Sequence, residues 1–562
     1  MSGSSSLTGH GIGRGGAVGP VVRAHPVPAP ARESGVSAVE ERDRLTAQVN
    51  DAFSQVSARL EQQANTATGT LGEVLAAAAA MASDPEFISG ATARVANGTS
   101  PAVAVDQVTD EFAELFSSAG GYLAERVTDL RSVRDRVVAV VLGLPEPGVP
   151  ALTEPSVLVA TDLSPADTAT LDMNQVLAIV LEQGGPTGHT AIIAGQLGIP
   201  CVVRVAGAGQ LRAGEVIAVD AASGAVIRDP DEQVQRRVQA RMQVLAELGK
   251  SREPGATSDG HRVDLLANIG TAEDAERIEA DQVQGVGLFR TEVLFLGRES
   301  APTQQEQAQV YARVLRARSG QKVVVRTLDA GADKPLAFVQ QGEEENPALG
   351  VRGYRLVRSV PTLLDQQLAA LATAARESGS APWVMAPMIS TAAEAADFAA
   401  RARGAGIEQV GVMVEVPSAA LRIADILDEV DFVSIGTNDL SQYTMASDRL
   451  LGDLADLLDP WQPATLELVA RVLGTAQEVG KPAGICGESA SDPLMALVLT
   501  GMGATSLSMS AAAVPTVRFA LSRHALAQCQ QLAQVALAQR SAVQARAAVL
   551  DGCDQRLQEL LA

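Results

Sequence analysis

Eight short apolar runs recur across residues 256–562, and helical stretches follow most of them. They are RVDLLANI (262–269), GVGLFRT (285–291), KVVVRTL (322–328), WVMAPMI (383–389), VGVMVEV (410–416), FVSIGTN (432–438), PAGICGE (482–488) and TSLSMS (505–510). Runs of this length, without polar alternation, suit strands buried on both faces. Eight such strands alternating with helices predict a (β/α)₈ barrel. The longest gap, between the third and fourth runs, predicts an elaborated loop over the mouth. The C-terminal segment from about Ala525 reads as helical. It either extends the barrel or offers a partner-binding helix.

The 307 residues of that barrel leave a long N-terminal portion of the 562-residue chain, so several domains are expected. GIGRGGAVGPVVRA (11–24) reads as a strand with turns, and the Pro/Ala stretch from His25 to Ala31 as a linker. Between Ser37 and Val141 apolar residues return at helical spacing, as in Leu45, Val49, Phe53, Val56 and Leu60. Short β-prone runs then appear at 156–160, 176–180, 201–205, 215–220 and 225–229. The predicted organisation is a multidomain α/β protein. An α/β domain occupies 1–30 and 145–229, with an all-helical domain (36–142) inserted into it. A charged linker helix follows at 230–255, and the barrel at 256–562.

Net charge is −22 and aromatic residues make up 3% of the chain. So acidic a surface, with so few stacking side chains, argues against nucleic acid or an anionic membrane as partner. No run is long and apolar enough for a membrane span. The start MSGSSSLTGH lacks a signal-peptide pattern. Four scattered cysteines form no CxxC pair. A reducing cytoplasm is therefore the expected setting.

Active groups of such barrels sit at the C-terminal ends of the strands. There the sequence places Arg290, Arg326, Glu415, Asn438, Asp439 and Cys486, with Lys334, Arg352 and Arg449 on the following loops. Any one of these arginines could equally serve a rim salt bridge. The set at successive strand ends points to an anion bearing phosphate and carboxylate. Glu415 and Asp439 offer the oxygen ligands that suit Mg²⁺. Cys486 is either a small buried apolar side chain or, beside the cations, a proton donor to carbon. His189, in QGGPTGHTAIIAG, follows a Gly-rich turn at the start of a predicted helix. That position suits either an ordinary exposed histidine or a phosphate-accepting nucleophile.

GGPTGHTAI resembles the phosphohistidine signature of the phosphoenolpyruvate-utilising enzymes. IGTNDLSQYTMASDR (435–449) is similar to their second signature. GLFRTEVLFLGR, RTLDAGADKP, NPALGVRGYR, VMVEVPSAA and GICGE match in order. Within the family the pattern looks like the Enzyme I proteins of the bacterial sugar phosphotransferase system. About 150 helical residues precede the phosphohistidine segment, with no Gly-rich nucleotide loop, so a dikinase with an ATP-grasp domain fits less well. A degenerate phosphoenolpyruvate sensor is a third reading, although the reactive groups are all present.

The resemblance implies that His189 accepts the phosphoryl group and that Arg290, Arg326 and Arg449 hold phosphoenolpyruvate. Asn438 and Asp439 touch the substrate, and Arg352 and Lys334 support it. Glu415 and Asp439 bind Mg²⁺, and Cys486 protonates the enolate to give pyruvate. It further implies a swivelling phosphohistidine domain, a helical domain docking the carrier HPr (YLAERVTDLRSVRDRV, 122–137), and a homodimer formed through the barrel. Gly188, where the family usually has Ser, and LLGDLADLLDPWQPA after Arg449 depart from the pattern.

Overall fold

The computed structural model describes residues 6–561, except 14, 25–38, 67–69, 120–126, 146, 151, 164–170, 172–174, 186–189, 192–193, 196–197, 280, 297, 332–335, 340–341, 343, 449–453 and 455. The expected linker from His25 to Ala31 lies outside the described residues, as do His189, Gly188, Lys334 and Arg449. The chain forms two compact units, Met1–Gln243 and Val244–Ala562.

The first unit holds an eight-stranded sheet. Its strands are β1 (Ser6–Thr8), β2 (His10–Ile12), β3 (Gly16–Arg23), β4 (Ser156–Ala160), β5 (Val176–Leu181), β6 (Cys201–Val203), β7 (Val216–Asp220) and β8 (Ala225–Arg228). They lie in the order β1-β8-β7-β3-β4-β5-β6-β2. β3 to β6 run parallel, whereas β7 is antiparallel to both β3 and β8.

The early segment, read as one strand with turns, is split. β2 pairs with β6 at one edge, while β3 lies between β7 and β4. Gly13, at φ +82°, supplies the turn that separates them. Helices Val39–Thr66, Thr70–Ala82, Pro85–Ala96, Pro101–Ala119 and Val127–Leu142 lie in the chain between β3 and β4. Those two strands are adjacent in the sheet, so a self-contained helical unit can be inserted there without breaking it. Its core is built from Val49, Phe53, Val56, Leu60, Phe87, Val105 and Val137. The rings of Phe53 and Phe87 meet edge-on at 5.2 Å.

The helix Glu232–Leu248 buries only Val238, as its charged sequence requires, and the division between the units falls within it. The second unit is a closed, all-parallel barrel. Its strands are β9 (Asp264–Ile269), β10 (Gly285–Arg290), β11 (Lys322–Arg326), β12 (Trp383–Ala386), β13 (Gln409–Val414), β14 (Phe432–Ile435), β15 (Ala483–Ile485) and β16 (Ser506–Met509). Each coincides with one of the eight apolar runs. The C-terminal segment extends the barrel. Helices Leu526–Leu537, Ala542–Gly552 and Gln555–Leu561 bury Cys529, Ala533, Ala545, Val549 and Leu557 in the same core as the barrel.

Candidate active site

The ends of β10, β11, β13, β14 and β15 bring together seven of the ten residues singled out from the sequence. Arg290 and Arg326 are register partners on neighbouring strands. Arg290 is exposed, while Arg326 is buried. Nη2 of Arg326 donates to Oε1 of Glu292 at 2.6 Å, and its Nη1 lies 3.0 Å from Oδ2 of Asp329. The remaining Nε–H of Arg326 is buried without a partner.

Arg352 sits on the long loop after β11, anchored by a bridge between its backbone and Gly331. It is 1% exposed and doubly forked. Nε and Nη2 donate to the two oxygens of Asp329, both at 3.1 Å. Nη1 and Nη2 donate to the two oxygens of Asp439, at 2.9 and 3.2 Å. Burial works against its charge, but the two carboxylates outweigh it and hold the guanidinium firmly protonated.

Glu415 follows β13 and is 1% exposed. Its Oε1 accepts from the backbone N–H of Met388 at 2.6 Å, and its Oε2 has no partner. Met388 holds φ at +60°, an uncommon conformation for a side chain of its size, and in it donates this hydrogen bond. Burial, reinforced by the charges of Asp439 and Asp329, pushes the Glu415 carboxyl up to about 8, against the pull of Arg326 and Arg352. One acceptor oxygen is thus left unsatisfied among negative neighbours, a donor set that fits a bound cation. Among the described residues, no group of three metal-ligating side chains forms a ready-made cage. Two carboxylates plus substrate oxygens are the pattern of Mg²⁺.

Asn438 and Asp439 lie in the first turn of the helix Thr437–Met445. Oδ1 of Asn438 accepts from the N–H of Glu488 at 3.0 Å, tying the end of β14 to the loop after β15. Gly487 permits that approach, since a Cβ there would stand 2.0 Å from Oγ1 of Thr437. Cys486 is buried beside them, its thiol 3.5 Å from the carbonyl of Ile435. Burial pushes the thiol up to about 11; a hydrogen bond with Ser434 and the charges of Arg326 and Arg290 oppose the shift, while Glu415 adds to it. The thiol is therefore protonated at neutral pH, as a proton donor must be.

The sequence suggested a cationic mouth. Among the described residues, three arginines meet four carboxylates: Glu292, Asp329, Glu415 and Asp439. Glu292 and Asp329, just past the ends of β10 and β11, are the carboxylates that sequence reasoning missed. Their spacing, two after Arg290 and three after Arg326, was the available signal. A buried polar network supports the same strand ends. Gln367 donates to Thr291 and Tyr311 and accepts from the N–H of Leu328, and Oγ1 of Thr291 donates to the carbonyl of Arg326.

Comparison with known proteins decides the family. Residues 246–526 match the PEP-binding domain of the PEP-utilising (phosphoenolpyruvate-utilising) enzymes, 152–224 their mobile domain and 8–126 their N-terminal domain. A phosphoenolpyruvate-protein phosphotransferase of Streptomyces coelicolor is 47% identical over 549 residues, 97% of this chain and 98% of that one. The chain belongs to the PEP-utilising enzymes. Proteins of the same name from Staphylococcus carnosus (37% identical, 85% of this chain and 88% of that one) and Bacillus subtilis (35%, 86% and 89%) place it in the phosphotransferase branch. As a member of that branch the chain is a transferase. The PEP-binding match covers all eight barrel strands and every site residue described above.

Proposed function

We propose that this chain transfers the phosphoryl group of phosphoenolpyruvate to His189 and then to the histidine of the carrier protein HPr, starting a sugar phosphotransferase system. The observation that carries the reading is the near-full-length kinship with phosphoenolpyruvate-protein phosphotransferases. The barrel mouth supplies chemistry in keeping with it. The exposed fork of Arg290 and the unspent Nε–H of Arg326 take substrate oxygens, and Asn438 and Asp439 bound the site from β14. Lys334, Arg352 and Arg449 complete the cation set by resemblance.

Glu415 and Asp439 would hold Mg²⁺. Although Arg352 engages both oxygens of Asp439, a carboxylate has about four lone-pair sites, so acceptor capacity remains. The ion, when bound, neutralises phosphoryl and enolate charge. Nε2 of His189 attacks phosphorus, the bridging P–O bond breaks, and the enolate of pyruvate leaves. Cys486 then gives its Sγ proton to the methylene carbon, producing pyruvate.

A swivelling domain over 1–30 and 145–229 carries the phosphohistidine to HPr on the helical domain (36–142), with the linker helix at 230–255 between it and the barrel at 256–562. Among the described residues, no helix is long and apolar enough to cross a membrane. We place the enzyme in the cytoplasm, as a homodimer through the barrel. Incubation with phosphoenolpyruvate, Mg²⁺ and HPr should yield pyruvate and phospho-HPr in equal amounts. Labelling by ATP but not by phosphoenolpyruvate would refute the reading.

A further inference from the structure

Leu265, Ala267 and Ile269 of β9 pack in the large core that the barrel shares with its helices. Strand alternation therefore turns Asn268 towards the barrel interior. An apolar cluster lies there, in which Leu288, Val324, Met385, Met413 and Phe432 surround Cys486. Branched apolar side chains are the usual filling of such interiors, so a carboxamide at this level needs a reason. Asn268 is half-buried and uses both ends of its amide. Its Oδ1 accepts from Oγ of Ser508 at 2.5 Å. Its Nδ2 donates to the carbonyl of Cys486 at 3.2 Å and to that of Ser508 at 3.4 Å.

β15 ends at Ile485, so the carbonyl of the buried Cys486 lies past the last rung of its ladder and needs another donor. The N–H of Cys486 donates to the carbonyl of Ile435 at 3.1 Å, and the thiol lies 3.5 Å from the same oxygen. The turn that follows is fastened to the helix after β14. Oδ1 of Asn438 takes the N–H of Glu488, and the hydroxyls of Thr437 and Ser489 meet at 2.8 Å. Between these ties stands the Cys486–Gly487 peptide. Gly487 has no Cβ to resist its rotation. The bond from Asn268 fixes which way its carbonyl points.

We infer that Asn268 is a positioning residue for the proton donor: it holds the Cys486 peptide so that Sγ meets one face of the enolate. The inference rests on Cys486 being that donor. In the step concerned, the π electrons of the enolate form a C–H bond with the Sγ proton, and the thiolate left behind regains a proton from solvent. Asn268 acts through the Cys486 peptide, so it governs protonation and leaves phosphoenolpyruvate binding alone. A misplacement of about 1 Å at a reacting atom costs on the order of 100-fold in rate.

The handedness of the new methyl group reports this role. Phosphoenolpyruvate carrying tritium at one methylene position, turned over in D₂O with HPr in excess, gives a methyl group holding protium, deuterium and tritium. Addition from one face makes that group single-handed. Asn268→Asp is nearly isosteric and still accepts from Ser508, but its carboxylate cannot donate to Cys486; Asn268→Leu removes both bonds. In each variant kcat should fall by about tenfold or more, KM for phosphoenolpyruvate should stay within about twofold, and methyl groups of both hands should appear. Fluorescence of Trp383 and Trp461, both in the barrel unit, checks that the variants are folded. Wild-type kcat in both variants would overturn the inference. So would a slowed turnover that still gives single-handed methyl groups, since that is the mark of a merely structural role. Cys486→Ala is the control for the reading beneath. If it forms single-handed pyruvate at the wild-type rate, the donor assignment fails; if it is slow and mixed-handed while the Asn268 variants match wild type, only the positioning role fails.

Discussion

Glu415 is the group whose replacement should separate stability from function most cleanly. Its carboxyl is raised from its ordinary 4.5 to about 8 by burial and by Asp439 and Asp329. Between those two values the folded barrel binds a proton that the unfolded chain releases, so stability falls as pH rises through the window. At about 1.4 kcal/mol per pH unit, the penalty is on the order of 3 kcal/mol at pH 7 and larger at pH 9. Glu415→Gln removes the titration while keeping an oxygen for the N–H of Met388.

With divalent metal chelated, the variant should therefore match wild type near pH 4.5 and exceed it increasingly towards pH 8. The gain should reach roughly 5 °C or more in the unfolding midpoint of the barrel. Both tryptophans, Trp383 and Trp461, lie in the barrel unit, so their fluorescence reports that unit alone. The same substitution should cost activity, since it removes a proposed metal ligand. Parallel stability profiles from pH 5 to pH 9 would refute the electrostatic account of Glu415.

In pH-stat titration at pH 7, Mg²⁺ should release up to about one proton per wild-type chain and none from Glu415→Gln, because the ion needs the ionised carboxylate. Asp329→Asn strips charge from the pairs with both Arg326 and Arg352. It should lower stability by about 3 kcal/mol and raise KM for phosphoenolpyruvate, as measured by urea unfolding and steady-state kinetics. Gln367→Leu leaves the N–H of Leu328 unpaired and should cost about 1–3 kcal/mol by the same unfolding measurement. The native thiol of Cys486, buried and raised to about 11, should resist alkylation at pH 8 yet react on unfolding, which peptide mass spectrometry can read.

The barrel was legible because its strands are buried on both faces. Runs such as VGVMVEV must then be apolar throughout, and a periodicity of that kind survives in the sequence alone. The strand-end positions of Arg290, Arg326, Glu415 and Cys486 followed from those runs. The pairings did not. Asp329 and Asp439 are 110 residues apart in sequence, and only the closed barrel brings both onto Arg352. For that reason the sequence showed a collection of cations, whereas the structure shows buried arginines already engaged by carboxylates. The small strands Ser6–Thr8 and His10–Ile12 were hidden for another reason. Three residues carry too little pattern, and their edge positions are set by β8 and β6, nearly two hundred residues or more away.

The central claim is that the phosphoryl group rests on His189 between donor and carrier. The most direct measurement is to incubate wild-type protein and His189→Ala with labelled phosphoenolpyruvate and Mg²⁺, without carrier, and to count acid-labile label per chain. The account predicts one phosphoryl group per wild-type chain, matched by one pyruvate and located on the peptide containing His189, and none on the variant. Stoichiometric acid-labile labelling of His189→Ala would contradict it.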